Sequence, residues 1–252
     1  HSLLYCNSVE KYTFFPIDGD RNGIFNLKYS TNYLILISIM PKKRSPVMFF
    51  KTVVIIVRFL FRILNGKTEI QNKEYIPKDT VFIIAAPHRS LLDPIFISFG
   101  VYPHVFSSMA KKELFKGKFT NWLLTHLNAF PVNRENPGPS ALKQPVSILK
   151  EGKTSLLIFP TGSRHSAEIK GGTSSIAKLA NVPILPVVYQ GPLTFKDLLK
   201  RKKATVRFGQ PIYLPKEKRI SRDELAAYDE LLGTTFRQLD QEIDPNFVYV
   251  AK

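Results

Sequence analysis

Hydrophobic and polar positions divide this chain into stretches of distinct character. Residues 46–64, PVMFFKTVVIIVRFLFRIL, are apolar, with charge only at Lys51, Arg58 and Arg62. At about 100° per residue these bases and Asn65 fall within about 60° of arc, so one narrow polar stripe runs along an otherwise apolar helix. The run approaches the length of a bilayer span. Three charges at bilayer depth are costly, whereas on one face they can stay among the headgroups. We therefore expect an amphipathic helix lying in one leaflet, with Lys42, Lys43 and Arg44 adding attraction for anionic lipid. A helix packed on the protein's own core and a spanning helix are the alternatives. The apolar arc is wider than core packing alone requires.

Beyond Asn65-Gly66 the pattern changes. Short apolar runs rich in strand formers occur at 81–86, 105–109, 155–159, 184–189 and 204–208. Helical patterns lie between or after them, at about 94–100, 112–127, 138–151, 172–181 and 221–242. Apolar strands alternating with helices predict an α/β fold: a mixed, largely parallel sheet flanked by helices, with the amphipathic membrane-anchoring helix at its N-terminal side. Edge strands can run the other way. In such sheets the loops after the strands carry the chemistry.

Composition narrows the function. The chain has 252 residues, enough for a sizeable core, and no low-complexity tract. One cysteine, Cys6, excludes an internal disulfide framework and a cysteine-rich zinc site. The net charge of +16 calls for an anionic partner: nucleic acid, an acidic leaflet or an acidic protein. Residues 1–39 hold three acids and three bases and no Met, so the excess lies from Met40 onward. We expect Met40 to be a native start and residues 1–39 an extension upstream of it, with a disordered arm as the alternative. Residues 40–66 are then expected to form the basic segment and interfacial helix, and 67–252 the α/β domain. No apolar core with leading bases marks a secretory signal.

The loop after the first strand reads Ala85-Ala86-Pro87-His88-Arg89-Ser90-Leu91-Leu92-Asp93-Pro94. On one unbroken helix His88 and Asp93 would point about 140° apart. Asp93-Pro94, however, reads as an N-cap followed by proline at N1, so the helix should begin at Pro94 and leave 88–93 free to fold back. The carboxylate could then hold the imidazole, making His88 a general base for a hydroxyl. The plain alternative is that Asp93 only caps the helix.

Further blocks follow in order: Met109-Ala110-Lys111-Lys112-Glu113-Leu114-Phe115, Phe130-Pro131-Val132-Asn133-Arg134, Phe159-Pro160-Thr161-Gly162-Ser163-Arg164 and Val182-Pro183-Ile184-Leu185-Pro186. Taken together, over about residues 46–243, this series resembles the glycerolipid acyltransferase family, in particular bacterial-type 1-acyl-glycerol-3-phosphate O-acyltransferases. The resemblance implies His88 and Asp93 as the catalytic pair and Arg134 as a substrate-binding arginine. It implies that Arg164 and Lys111 contact the substrate phosphate, with Gly162 allowing close backbone approach beside Ser163. It places the acyl or glycerol pocket around Pro186, on an α/β domain with an N-terminal helical anchor. Two departures matter. Thr161 stands where the family usually has Glu, and a hydroxyl cannot replace a carboxylate as a charge partner. Pro87 replaces the usual Asn before the histidine, which stiffens the approach. Ser163 for Thr keeps the hydroxyl.

The resemblance implies transfer of an acyl group from a thioester, acyl-CoA or acyl carrier protein, to the free hydroxyl of lysophosphatidic acid, giving phosphatidic acid in phospholipid biosynthesis. It implies no metal and no redox cofactor. The enzyme should sit on the cytoplasmic face of a membrane, bound monotopically to an anionic surface, with no nucleic-acid partner. The alternative from another class is a basic, non-catalytic binder of membrane or nucleic acid. Nucleic-acid binding would require bases interleaved with exposed aromatics, which the pattern does not provide. His126 and His165 read as structural, and the Gly171-Gly172 pair before Thr173-Ser174 as a turn or an anion-binding helix start.

Overall fold

The computed structural model describes residues 46–133, 140–162, 169, 171–216 and 219–249. Its helices are α1 (Pro46–Asn65), α2 (Asp93–Val101), α3 (Lys118–His126), α4 (Ser140–Lys150), α5 (Thr173–Ala180), α6 (Phe195–Leu199) and α7 (Arg222–Ile243). Its strands are β1 (Glu69–Gln71), β2 (Ile83–Ala85), β3 (Phe106–Lys111), β4 (Ala129–Val132), β5 (Ser155–Ile158), β6 (Ile184–Gln190) and β7 (Thr205–Phe208). The strands form one sheet in the order β1-β7-β6-β2-β5-β3-β4. Every neighbouring pair is parallel except β6–β7, which runs antiparallel. The expected mixed, largely parallel sheet is therefore present. The expected extension 1–39 lies outside the described residues, as do Lys42, Lys43 and Arg44.

Alternation along the central strands explains their unbroken apolar runs. On β2, Ile84 faces one core while Ile83 and Ala85 face the other. On β6, Leu185, Val187 and Tyr189 face the first core, and Ile184 and Val188 the second. A strand covered on both faces needs apolar side chains at every position. Helices α1, α2 and α6 bury Phe50, Val54, Phe61, Phe96, Phe99 and Leu198 on the first face. Helices α4, α5 and α7 bury Leu149, Ile176, Leu232 and Phe236 on the second.

Three elements were not expected from the pattern. β1 and β4 are edge strands; β1 has no apolar run, and that of β4 is only four residues long. β1 is Glu-Ile-Gln, and β4 contains Pro131, a residue tolerated in a sheet mainly at an edge. α6 is a five-residue turn of helix whose N-cap, Thr194, accepts from the Asp197 amide at 3.2 Å. The single pattern at 112–127 divides into a 3₁₀ turn, Lys112–Phe115, and α3.

Helix α1 packs on the protein's own core, the first of the alternatives, and still leaves a wide apolar arc exposed. Phe50 meets Phe106 at 5.1 Å, and Phe61 meets Phe96 and Phe99 at 5.4 and 5.6 Å, so one side is core. The opposite side exposes Ile55, Ile56, Phe59 and Ile63 by half or more. Asn65 corrects the expected stripe. It is buried, and its Nδ2 donates to Lys202 O at 3.0 Å, which ties the end of α1 to the approach to β7. Among the described residues no helix is long and apolar enough to cross a membrane.

Helix α2 approaches the sheet closely at Gly100, where an added Cβ would stand 2.9 Å from the buried Phe208 ring and 3.0 Å from Val206 Cγ1. Gly100→Ala is expected to lower unfolding free energy by about 1–3 kcal/mol, since overpacking outweighs the gain in helix propensity. A denaturant midpoint shift without a change in slope is the measurement.

Candidate active site

The chain leaves β2 at Ala85, and Ala86 stays in register by donating to Ile158 O at 3.2 Å. His88 and Asp93 then meet. His88 Nδ1 lies 3.0 Å from Asp93 Oδ2. The same oxygen accepts from the Arg89 amide at 2.6 Å and the Ser90 amide at 2.7 Å. A carboxylate only accepts, so Nδ1 donates this bond, and in the neutral ring the lone pair is on Nε2. Asp93 is 1% exposed, and the His88 ring stacks on Phe159 at 4.2 Å with 23° between planes. The imidazole is thus fixed in tautomer by one partner and in plane by another.

The way they meet differs from the sequence expectation. Asp93 is not the N-cap of α2 but its first residue, with Leu92 at the cap. The amides that an Asp93 cap would take, those of Ile95 and Phe96, both donate to Leu92 O at 3.0 Å. The carboxylate is therefore available to the loop behind it. Ser90 Oγ completes the turn, accepting from the Leu92 amide at 2.9 Å and donating to Leu193 O at 2.6 Å.

A cavity of about 690 Å³ opens beside His88, with Thr161, Ile169, Phe236, Arg237 and Tyr249 among its lining. That volume is in the range of small-molecule sites. Thr161, at the position of the family's usual Glu, is buried in its wall. Gly162 closes a turn by donating to Phe159 O at 2.9 Å with φ 69°, a conformation that favours glycine. Lys111 ends β3 with its side chain 46% exposed and its Nζ 3.8 Å from Glu113 Oε2. It is not among the residues lining this cavity. Arg134, Ser163 and Arg164 lie outside the described residues, as does His165. His126 Nδ1 meets Trp122 O at 2.7 Å, on α3.

The Gly171-Gly172 turn already has its anion. Asp229 of α7 accepts from the Gly172 amide at 3.2 Å, the Ser174 amide at 3.1 Å and Ser174 Oγ at 2.8 Å. The N-terminus of α5 is thus satisfied from within the chain. Burial first, then the Asp93 and Asp197 carboxylates, push the Tyr189 phenol far above its ordinary range. It stays protonated and donates to Pro192 O at 2.8 Å. Among the described residues no group of three or more His, Cys, Asp or Glu is placed to hold a metal.

The sequence reading missed Arg89 and Asp240. Arg89, between the two motif residues, forms a buried, two-pronged ion pair with Asp240 of α7, with Nη1 2.9 Å from Oδ1 and Nη2 on Oδ2. Gln190 Nε2 donates to the same carboxylate at 3.0 Å. Phe247 and Tyr249 rings lie 4.9 and 5.4 Å from the guanidinium carbon. A signal was present: Asp229 and Asp240 sit on the helical stripe of Leu232, Phe236 and Leu239, where a surface carboxylate does not belong.

Comparison with known proteins identifies the family. Residues 67–190 match the family model described as Acyltransferase. A 1-acyl-sn-glycerol-3-phosphate acyltransferase of Streptococcus pneumoniae is 41% identical over 180 residues, 71% of this chain and 68% of that protein. One of Bacillus subtilis is 39% identical over 184 residues, 72% of this chain and 92% of that one. The crystal structure of the 1-acyl-sn-glycerophosphate acyltransferase of Thermotoga maritima superposes with a TM-score of 0.62 at 24% identity, covering 86% of this chain and 90% of that chain. That last likeness concerns the fold.

Asp240→Ala leaves the Arg89 guanidinium buried without its carboxylate and is expected to cost about 3–5 kcal/mol of unfolding free energy. Arg89→Met combined with Asp240→Leu should recover most of that loss. Equilibrium denaturation of the three proteins tests it; equal loss in the single and double variants contradicts a burial penalty.

Proposed function

This chain belongs to the acyltransferase family, and on that footing we propose that it esterifies the free hydroxyl of 1-acyl-glycerol-3-phosphate with an acyl group from a thioester, forming phosphatidic acid for phospholipid biosynthesis. The observation that carries this reading is the His88 Nδ1–Asp93 Oδ2 contact at 3.0 Å beside a substrate-sized cavity. A non-catalytic basic binder finds no support, since both relatives bear an enzyme's name.

His88 Nε2 takes the proton of the acceptor hydroxyl while Asp93 balances the forming imidazolium across Nδ1. The oxygen attacks the thioester carbonyl, and a C–O bond forms. The tetrahedral species collapses with loss of the C–S bond, and the leaving sulfur takes the proton from Nε2. Acid, base and leaving group balance without a metal or redox cofactor. Lys111, Arg134 and Arg164 hold the phosphate, with Gly162 and Ser163 shaping the approach. The acyl donor is acyl-CoA or acyl carrier protein. The enzyme works from the cytoplasmic face of an anionic leaflet, held by the exposed apolar side of α1. Lys51, Arg58 and Arg62 lie along that helix at headgroup level, and α1 does not cross the bilayer.

His88→Ala is expected to lower acyl transfer by about 10²–10⁴-fold with the fold and vesicle binding intact. Asp93→Asn keeps an acceptor for the two loop amides but loses the charge opposite the imidazolium. It also places an amide NH₂ where, among the described residues, the buried Oδ1 has no partner. A rate loss of about a hundredfold or more is expected, with a stability cost of about 1–3 kcal/mol measured in parallel. Near-wild-type transfer by Asp93→Asn, assayed as phosphatidic acid formed from lysophosphatidic acid with both donors, contradicts the catalytic assignment.

Lys51→Glu, Arg58→Glu and Arg62→Glu together should weaken binding to anionic vesicles and leave it unchanged on neutral ones. Protease cleavage of the bound protein from both sides of a sealed bilayer contradicts one-leaflet attachment.

A further inference from the structure

Helix α6 and the turn after it make a surface that the acyl-transfer chemistry does not use. The segment 195–203 reads FKDLLKRKK, five bases against one acid. Phe195 and Leu199 stand one helical turn apart and are 60% and 69% exposed, while Leu198 between them is 2% exposed and anchors the helix in the core. Two large apolar side chains on one exposed face, ringed by bases, do not serve packing within the chain. The turn is held firmly. Arg201 adopts φ 52°, and its guanidinium donates to Ile63 O at 3.3 Å. Asn65 Nδ2 donates to Lys202 O at 3.0 Å. Both bonds reach the last turn of α1, where Leu60, Ile63 and Leu64 are also exposed. Leu198 joins the same core cluster as Phe50, Val54 and Phe61 of α1, so α1 and α6 cover the same face of the sheet.

We propose that α6 is a second membrane-contact element: Phe195 and Leu199 enter an anionic leaflet beside the C-terminal turn of α1, and Lys196 and Lys200 contact its headgroups. The inference rests on the leaflet attachment proposed for α1. Charge complementarity selects the occupant, because exposed apolar side chains within a basic ring match the acyl boundary and the anionic headgroups together. The second contact sets the rotation of the domain about the α1 axis, which one helix lying in a leaflet leaves free.

Sedimentation with phosphatidylcholine vesicles, with and without phosphatidylglycerol, tests it on the full chain. Phe195→Ser/Leu199→Ser and Lys196→Glu/Lys200→Glu should each bind the anionic vesicles about tenfold more weakly. Their turnover of lysophosphatidic acid in detergent micelles should match wild type. Phe195→Trp in a Trp122→Phe background places a single indole on α6, and its fluorescence should be quenched by brominated lipid. Wild-type binding by either pair, or indole fluorescence insensitive to brominated lipid, overturns the proposal. If both pairs bind vesicles normally and instead lose affinity for acidic acyl carrier protein, the surface serves a protein donor and the proposal is wrong. If the wild-type chain itself ignores anionic vesicles, the attachment through α1 fails as well, an outcome distinct from failure of the variants alone.

Discussion

One carboxylate oxygen organises the centre of this protein. Asp93 Oδ2 accepts from the His88 imidazole and from the amides of Arg89 and Ser90. Five residues of loop are thereby wrapped around a single acceptor. The tautomer of His88 and the direction of its free nitrogen follow from that wrapping. A charge buried to this degree is stable only when its hydrogen bonds are made. The two loop amides on Oδ2 prevent the imidazole from being its sole support. The stack on Phe159 then brings the turn after β5 against the same ring, so the loops after β2 and β5 converge on one nitrogen.

Around this centre the fold shows why a basic, apolar-rich chain need not be a simple globule. One face of the sheet is covered by helices of which two, α1 and α6, are also apolar on their far sides. α1 divides its circumference between core aromatics, a stripe of bases and exposed aliphatics, and α6 repeats that division in one turn of helix. The other face, under α4, α5 and α7, follows ordinary rules, with amphipathic helices and polar exteriors. The asymmetry between the two faces is a property of composition along each helix, and it gives the molecule a direction.

Much of this was legible in the chain itself. The central strands were readable because two-sided burial demands unbroken apolar runs. The His88–Asp93 contact was readable because Pro94 limits where a helix can begin, although the cap fell on Leu92 once the Ile95 and Phe96 amides chose its carbonyl. Edge strands β1 and β4 were not readable, since β1 is three residues with one apolar side chain and β4 is a short run carrying Pro131, which argues against a strand. Arg89 and Asp240 were hidden for a different reason. Their pairing spans 151 residues, and nothing local to Arg89 names its partner. Only the misplaced carboxylates on the apolar stripe of α7 hinted that something charged waited across the interface. Asn65 misled by falling within the arc of the bases while serving as a buried tie.

The reach of Arg89 to Asp240 has a consequence for how the enzyme comes into being. Synthesis runs from the N-terminus, so α1 leaves the ribosome long before α7. The loop bearing His88 acquires its guanidinium partner only when residue 240 has emerged and α7 has docked. A nascent chain therefore carries its apolar helix first and completes the partners of its His88 loop last. A chain that stops before Asp240 leaves the Arg89 guanidinium, next in sequence to His88, without its carboxylate.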